Sequence, residues 1–394
     1  MRYLAVLGRQ PEISLAELSA LFSRVSQISG ELATFSSDKE PSINRLGGCL
    51  KIAVEISGSP LDYLTALPDG KITIGVSDYS AHSSARKAQG EALKLKKILA
   101  RHGRSVRVVE NKSAVLSTAT SLHNGLGGFK TNKVELILVN EKWWRVIGVQ
   151  DIDAYARRDQ ARPARDAKVG MLPPKLAQIL INLCGHLPAG SRLLDPFCGT
   201  GVVLQEALLM GYSAYGTDLE PRMVEYTEKN LRWLTEPETD SARAASGRPV
   251  ATGGQRSSSP CQAPDSLAGS FQVAVGDATS FTWEQPIDAV ACEGYLGRPM
   301  SLPPAEIKLK TEEQECSSII LGFLKNLAPQ IKSNTPVVVA MPAWLRPDGS
   351  YHRMNLVDEI TNMGYNVMNK TREGLIYHRD KQVVARDIII LRKK

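Results

Sequence analysis

The 394 residues contain no C-x-x-C pair; Cys49, Cys184, Cys198, Cys261, Cys292 and Cys316 are scattered singly along the chain. That spacing excludes a thiolate zinc site and a disulfide framework, so most of them are expected as small core residues. No apolar run approaches about 18 residues, the length a membrane span requires. The opening MRYLAVLGRQPEISLAEL interrupts its apolar stretch too soon for a signal peptide. A cytoplasmic protein without membrane or metal partner is expected. There is no internal repeat. Charged residues at 23 % and hydrophobic residues at 43 % exclude a disordered chain, and the length allows two or three domains. The oligomeric state is left open.

Charge is unevenly placed. Residues 1–165 hold 24 Lys and Arg against 16 Asp and Glu, a net of +8, whereas residues 166–394 hold 24 against 25, a net of −1. A basic front half is what a polyanion-binding part beside a chemical part would show. The segment SARKAQGEALKLKKILARHGR reads as a helix made positive by Lys87, Lys94, Lys97, Arg101 and Arg104. Lys94, Lys97 and Arg101 are the candidate RNA contacts, against the simpler reading of a solvated helix face.

From Ser191 onward short apolar runs alternate with amphipathic stretches: SRLLD, VVLQEALLM, SAYGTD, PRMVEYTEKNLRWL, FQVAVGD, IDAVAC, EEQECSSIILGFLKNL, TPVVVAMP, VVARDIIIL. The series predicts an α/β domain with a mostly parallel sheet covered on both faces. GLIYHRD before the last run predicts a terminal antiparallel hairpin. Residues 235–270, rich in Ser, Gly, Pro and Ala, read as a flexible insertion. The front half is α+β, with RYLAVLG, KIAVEI, KITIGVS, VELILV and WWRVIGV as strands and ISLAELSALF as a helix.

The sharpest signal is LLDPFCGTG, residues 193–201, at the end of the first strand of the alternating half. A glycine turn between strand and helix lets the backbone pass close to a ligand, and Thr200 is placed to cap the helix. The next strand ends in Asp218, 23 residues after Asp195, where an acid can bind a ribose hydroxyl pair. The third ends in Gly276-Asp277-Ala278, a further acid in reach of an adenine amino group. Three acids at three successive strand ends are hard to explain by packing.

This constellation resembles the class I S-adenosylmethionine-dependent methyltransferases, which implies a Rossmann-like seven-stranded catalytic domain. It also implies a cofactor set of Asp195, Phe197, Cys198, Gly199, Thr200, Gly201, Asp218, Leu219, Gly276, Asp277 and Ala278, with Asp195 facing the methionine amino group. The glycine spacing differs from that of nicotinamide dehydrogenases. YLAVLGRQPEISLAELSALF, RLGGCLKIAVEI and GMLPPKLAQILINL together resemble the THUMP-containing tRNA guanosine N2-methyltransferases of the guanosine-10 type. That resemblance implies a ferredoxin-like domain over 1–58, a THUMP-like domain over 59–155, a linker and the start of the catalytic domain over 156–180 and a methyltransferase domain over 181–394, with tRNA as partner. It adds Met171 and Pro173 to the cofactor pocket, against an ordinary helix start with proline in its first turn.

The family places an acid, two prolines and an aromatic at the end of its fourth strand, where the acid and a backbone carbonyl accept the hydrogens of the target amine. Here EGYLG stands there, making Glu293, Gly294 and Tyr295 the candidate catalytic residues. Glutamate reaches one methylene further than the usual acid, Gly294 removes proline's rigidity, and Tyr295 is either a stacking face or a packing residue. Two rivals stay open: a tRNA-binding protein that keeps the cofactor pocket without transfer, and an amino-methyltransferase acting on DNA.

Overall fold

The structure, a computed structural model, describes residues 1–128, 130–166, 171–236, 269–369, 375–380 and 382–394. Most of the expected insertion, with Cys261, lies outside the described residues. The other five cysteines are buried thiols. The chain divides into two units, Met1–Asp153 and Ala154–Lys394.

In the first unit, β1 (Arg2–Leu7), β2 (Ser23–Ser29), β3 (Leu32–Ser36), β4 (Cys49–Glu55), β5 (Ile72–Asp78), β6 (Val106–Val108), β7 (Lys133–Val139) and β8 (Lys142–Val149) form one sheet. Its order is β2-β3-β1-β4-β8-β7-β5-β6. Around it lie α1 (Pro11–Leu21), α2 (Pro60–Thr65), α3 (Ala85–Arg101) and α4 (Thr118–Asn124). The stretches that the sequence divides at residue 58 meet where β4 and β8 pair, Ala53 opposite Val146. A buried ion pair sits beside this join. Lys51 on β4 donates to Glu135 Oε1 on β7 at 2.5 Å, to Ser121 Oγ at 2.9 Å and to the Leu116 carbonyl at 2.7 Å. These three acceptors use all three ammonium hydrogens.

α3 buries Ala88, Ala92, Leu95 and Leu99 at helical spacing and leaves Lys97 and Arg101 exposed. Two of the other positive groups have local partners: Lys94 pairs with Glu91 at 2.6 Å, and Lys87 donates to the His82 carbonyl at 2.9 Å. Arg104 lies beyond the helix, where its guanidinium donates to the Leu67 and Pro68 carbonyls at 3.0 and 2.6 Å. It is a loop anchor, not part of a solvated cationic face.

The second unit takes in most of α5 (Ile152–Gln160), then α6 (Pro174–Leu183), β9 (Arg192–Asp195), α7 (Val202–Leu209), β10 (Ser213–Asp218), α8 (Pro221–Thr235), β11 (Phe271–Val275) and β12 (Ala289–Glu293). It continues through α9 (Glu306–Leu327), β13 (Pro336–Leu345), β14 (Tyr351–Arg353), α10 (Val357–Asn362), β15 (Tyr365–Val367), β16 (Ile376–Tyr377) and β17 (Val384–Lys393). The sheet runs β11-β10-β9-β12-β13-β17-β15, with β14 and β16 as short additions. β9 to β13 pair in parallel, while β17 is antiparallel to β13 and β15. The expected terminal hairpin is present, Tyr377 opposite Arg386. The stretch 156–180, expected as a linker and the start of the catalytic domain, supplies part of α5 and most of α6. Its apolar PKLAQILINL is buried along nearly its whole length, because a helix apolar all round must be covered.

Strand order reverses direction on either side of β9, and in open α/β sheets ligands bind beyond the carboxyl ends of the strands at such a point. That edge carries Asp195, Asp218, the Gly276-Asp277 turn and Glu293.

Candidate active site

Asp195 ends β9 and is buried, accepting the Phe197 backbone N–H at 3.1 Å. Burial holds its carboxyl well above the usual carboxylate range; the Phe197 N–H opposes that rise, and the charges of Asp218 and Glu293 add to it. The loop that follows needs its glycines. Gly201 has φ +80°, and a Cβ there would stand 2.9 Å from Thr227 Cγ2 on α8. Thr227 Oγ1 donates to the Gly199 carbonyl at 2.8 Å, and Asn230 Nδ2 donates to the Thr200 carbonyl at 2.9 Å. α8 therefore sets the loop from below. Thr200 does not cap α7, whose N-cap is Gly201 without a side-chain bond. Its hydroxyl instead accepts from Arg162 Nη1 at 3.3 Å. Phe197 packs edge-on to Phe323 at 5.2 Å, and Cys198 is buried against Thr227.

Asp218 ends β10. Its two carboxylate oxygens accept the Gly199 and Glu220 backbone N–H groups at 2.8 and 3.0 Å, so it braces the glycine loop from the neighbouring strand. Burial raises its carboxyl above the ordinary range against those two bonds. Leu219 beside it is 65 % exposed, an apolar side chain left uncovered at the sheet edge. Gly276 donates to the Asp218 carbonyl at 2.9 Å, stitching the ends of β10 and β11 together. Asp277 is exposed and accepts from Thr279, and Ala278 is buried. Pro173 is the N-cap of α6 with Pro174 following, the helix-start role weighed above. Met171 has a more specific place: its sulfur accepts from Arg162 Nη2 at 3.5 Å. One buried guanidinium thus joins the GMLPP and DPFCGTG segments.

Glu293 ends β12 with its side chain 16 % exposed, and Arg386 Nε on β17 donates to its Oε1 at 2.8 Å. Gly294 extends the ladder by donating to the Ala340 carbonyl at 2.9 Å. Proline at 294 would forfeit that bond, whereas a Cβ would meet only ordinary contacts, the closest at 3.5 Å. Glycine is therefore not demanded there by space; its N–H is what the strand uses. Tyr295 takes the packing role. Its ring lies against the core and its hydroxyl donates to Glu315 on α9 at 3.2 Å. Gly297, at φ +79°, lies so near Glu312 on α9 that a Cβ would stand 2.7 Å from its Oε2. That buried carboxylate accepts the Arg298 N–H at 3.1 Å, and Arg298 Nη2 donates to Glu315 at 3.3 Å. The loop is tied to α9 along its length.

Sequence reasoning missed Arg162, Arg386 and Glu312. Two signals were available: Arg386-Asp387 interrupts an otherwise apolar strand, and Glu312 falls on the buried face of α9. Arg162 had no such mark, lying in a run of charges read only as net charge. Among the described residues there is no cluster of His, Cys, Asp and Glu that could hold a metal ion, and no helix is long and apolar enough to cross a membrane.

The strand order and the antiparallel β17 define a Rossmann-like α/β fold, with the acids gathered at the carboxyl ends of its parallel strands. The family described as UPF0020, RMKL-like methyltransferase domain, matches residues 162–293. Over 76 residues the chain is 50 % identical to a tRNA (guanine(10)-N2)-dimethyltransferase of Methanothermobacter thermautotrophicus, covering 19 % of this chain and 22 % of that protein. A protein of the same name from Pyrococcus abyssi is 45 % identical over 62 residues, 16 % of this chain and 18 % of the relative. The chain thus matches about a fifth of these relatives' length. The crystal structure of TrmN from Thermus thermophilus aligns over 100 % of both chains at 18 % identity with a TM-score of 0.43.

Proposed function

We infer that the protein transfers a methyl group from S-adenosylmethionine to an exocyclic amine of a tRNA base, guanosine N2 being the best supported target, in the cytoplasm. The observation that carries this reading is the gathering of Asp195, Asp218, Asp277 and Glu293 at one sheet edge around a glycine loop braced by Thr227, Asn230 and Asp218. The site suits the cofactor. Asp195 is a buried carboxyl that an ammonium would suit, Asp218 and Asp277 are acceptors for hydroxyl and amino hydrogens, and Leu219 is an uncovered apolar surface. Met171, Pro173, Phe197, Cys198, Gly199, Thr200, Gly201, Gly276 and Ala278 form the rest of the proposed pocket. When bound, the cofactor supplies an electrophilic methyl group on a sulfonium. Glu293 and the Gly294 carbonyl would accept the hydrogens of the incoming amine and hold it in line; as the nitrogen–carbon bond formed, the methyl–sulfur bond would break to leave a neutral thioether, and the amine's surplus proton would pass to the Glu293 carboxylate. The front unit, read as joined ferredoxin-like and THUMP-like parts, holds the tRNA. Mass spectrometry of nucleosides from a tRNA pool incubated with protein and labelled cofactor tests the reading. Labelled N2-methylguanosine is expected. The rival reading of a binder without transfer predicts no label.

Three further results are expected. Asp218→Ala should weaken cofactor binding in calorimetry by roughly 1–3 kcal/mol, the loss typical of charge-assisted hydrogen bonds; unchanged affinity would defeat the assignment.

Cofactor affinity should rise with pH, and binding should release a proton. In the free protein Asp195 titrates above the ordinary carboxylate range, and an ammonium partner draws it back down. The bound state therefore holds fewer protons across that window. Stability contributed by Asp195 runs the opposite way: the native state binds its proton more tightly than the unfolded chain, so this contribution is full below the unfolded pKa and is lost as pH rises through the native one. Calorimetry in two buffers of different ionisation enthalpy reads the proton directly, and equal heats would count against the role given to Asp195.

Binding of tRNA should fall steeply with salt as counterions are released. Lys97→Ala and Arg101→Ala should each lower the salt slope by about 1 if they meet phosphates. Filter-binding titrations across a salt series measure this, and an unaltered slope would return them to a solvated face.

A further inference from the structure

The ion pair at the end of β12 uses only part of what its two side chains offer. Arg386 Nε donates to Glu293 Oε1 at 2.8 Å, while Nη1 donates to Gln382 Oε1 at 3.0 Å and to the Val384 carbonyl at 3.4 Å. These contacts leave Nη2 of the arginine and Oε2 of the glutamate without a hydrogen-bond partner among the described residues. Neither atom belongs to the buried polar groups left unsatisfied, so neither is sealed in. The side chains are 6 % and 16 % exposed.

Neighbouring charges do not compete for these atoms. Successive residues of a strand point to opposite faces, and Asp387, next along β17, accepts from Arg353 Nε and Nη2, both at 2.7 Å. Stability does not account for the pair either, since charges buried in a sheet lose hydration that pairing scarcely returns, and two apolar residues would serve as well. What the pair supplies is geometry. Nε and Nη2 project hydrogens from one edge of the rigid guanidinium fork. With Nε given to Oε1, that edge and the carboxylate together present one spare donor and one spare acceptor. A base that carries an amine next to a ring nitrogen presents the complement, an N–H beside a lone pair.

We propose that Arg386 donates through Nη2 to the ring nitrogen beside the target amine, N3 in guanosine, while Glu293 Oε2 accepts the amine hydrogen on that side. The inference rests on the methyltransferase reading and adds to it a recognition residue on β17 and the edge of the base that it reads. The other amine hydrogen is left to the Gly294 carbonyl. Gln382 and the Val384 carbonyl, by holding Nη1, fix the plane of the fork before the base arrives.

The test uses the full chain and two tRNA transcripts, assembled by ligation, that carry guanosine or 3-deazaguanosine at the position where the ordinary transcript takes label. The analogue replaces N3 by C–H and keeps both the amine and the Watson–Crick edge, so the tRNA folds as before. In single-turnover measurements wild type is expected to transfer to guanosine about 10–100-fold faster, the range for a hydrogen bond to a charged group. That order is expected even though the analogue's amine, less delocalised into its ring, is the better nucleophile. Arg386→Lys keeps a cation for Glu293 but not the fork, and should lose most of the preference; Arg386→Met should lose all of it, whatever happens to the absolute rates. An arginine that only supported the fold would slow both transcripts equally and leave the preference intact. Equal rates on the two transcripts in wild type, or a full preference retained in both variants, overturn the inference. The wild-type comparison stands even where Arg386→Met fails to fold. An ordinary transcript that takes no label withdraws the methyltransferase reading itself, and the inference with it.

Discussion

Glu293→Asp should slow methyl transfer to tRNA about 10²-fold, and Glu293→Ala should abolish it, with cofactor and tRNA affinities nearly unchanged. The acid acts mainly in the transition state, so its loss falls on the single-turnover rate and not on binding. The aspartate variant is the more informative of the two. It restores the acid that the resembling family uses, yet withdraws the carboxylate by about 1 Å, a displacement large enough to cost that factor. It also breaks the 2.8 Å bond from Arg386, whose side chain is only 6 % exposed and has no second carboxylate in the described ion pairs. Melting temperatures belong in the same experiment, because stranding Arg386 lowers stability independently of chemistry. Glu293→Gln keeps the length and an acceptor for Arg386 and separates the two effects. Wild-type turnover in Glu293→Ala would remove this residue from the reaction.

Lys51→Met should destabilise the front unit by about 3–5 kcal/mol, the range for removing one partner of a buried pair. The substitution leaves Glu135, whose side chain is 0 % exposed, without its charge partner, and Ser77 at 2.6 Å remains its one described hydrogen-bond donor. Adding Glu135→Leu should recover much of the loss, since an apolar pair of similar volume replaces two desolvated charges. Denaturant titration of the single and double variants checks both statements. Equal stability of wild type and Lys51→Met would show that water reaches this pair.

Much of the second unit was legible because the central strands β9, β10 and β12 are largely buried and read as short apolar runs, each stopping at an acid. Asp195, Asp218, Asp277 and Glu293 could therefore be placed at strand ends from spacing alone, and the structure puts them along one edge. The edge strand β2 was not legible: SRVSQIS is polar, mostly exposed and carries no alternation strong enough to mark it. The charged partners were not legible either. Arg386 meets Glu293 across 93 positions and Arg162 meets Thr200 across 38, and local pattern carries no record of such distances. Positive charge also misled locally, since Arg104 and Lys87 spend theirs on carbonyls of their own fold.

The bonds from Glu312 and Glu315 to the segment after Glu293 have a mechanical consequence. A pair of prolines would stiffen such a segment from within, through its own covalent rings. Here the stiffness is borrowed from a neighbour: Arg298 and Tyr295 are fastened to α9, and Gly297 is pressed against it. The segment and the helix therefore move as one body, and a substitution that tilts α9, many residues from the acid in sequence, will register as a change in where the acid's loop stands.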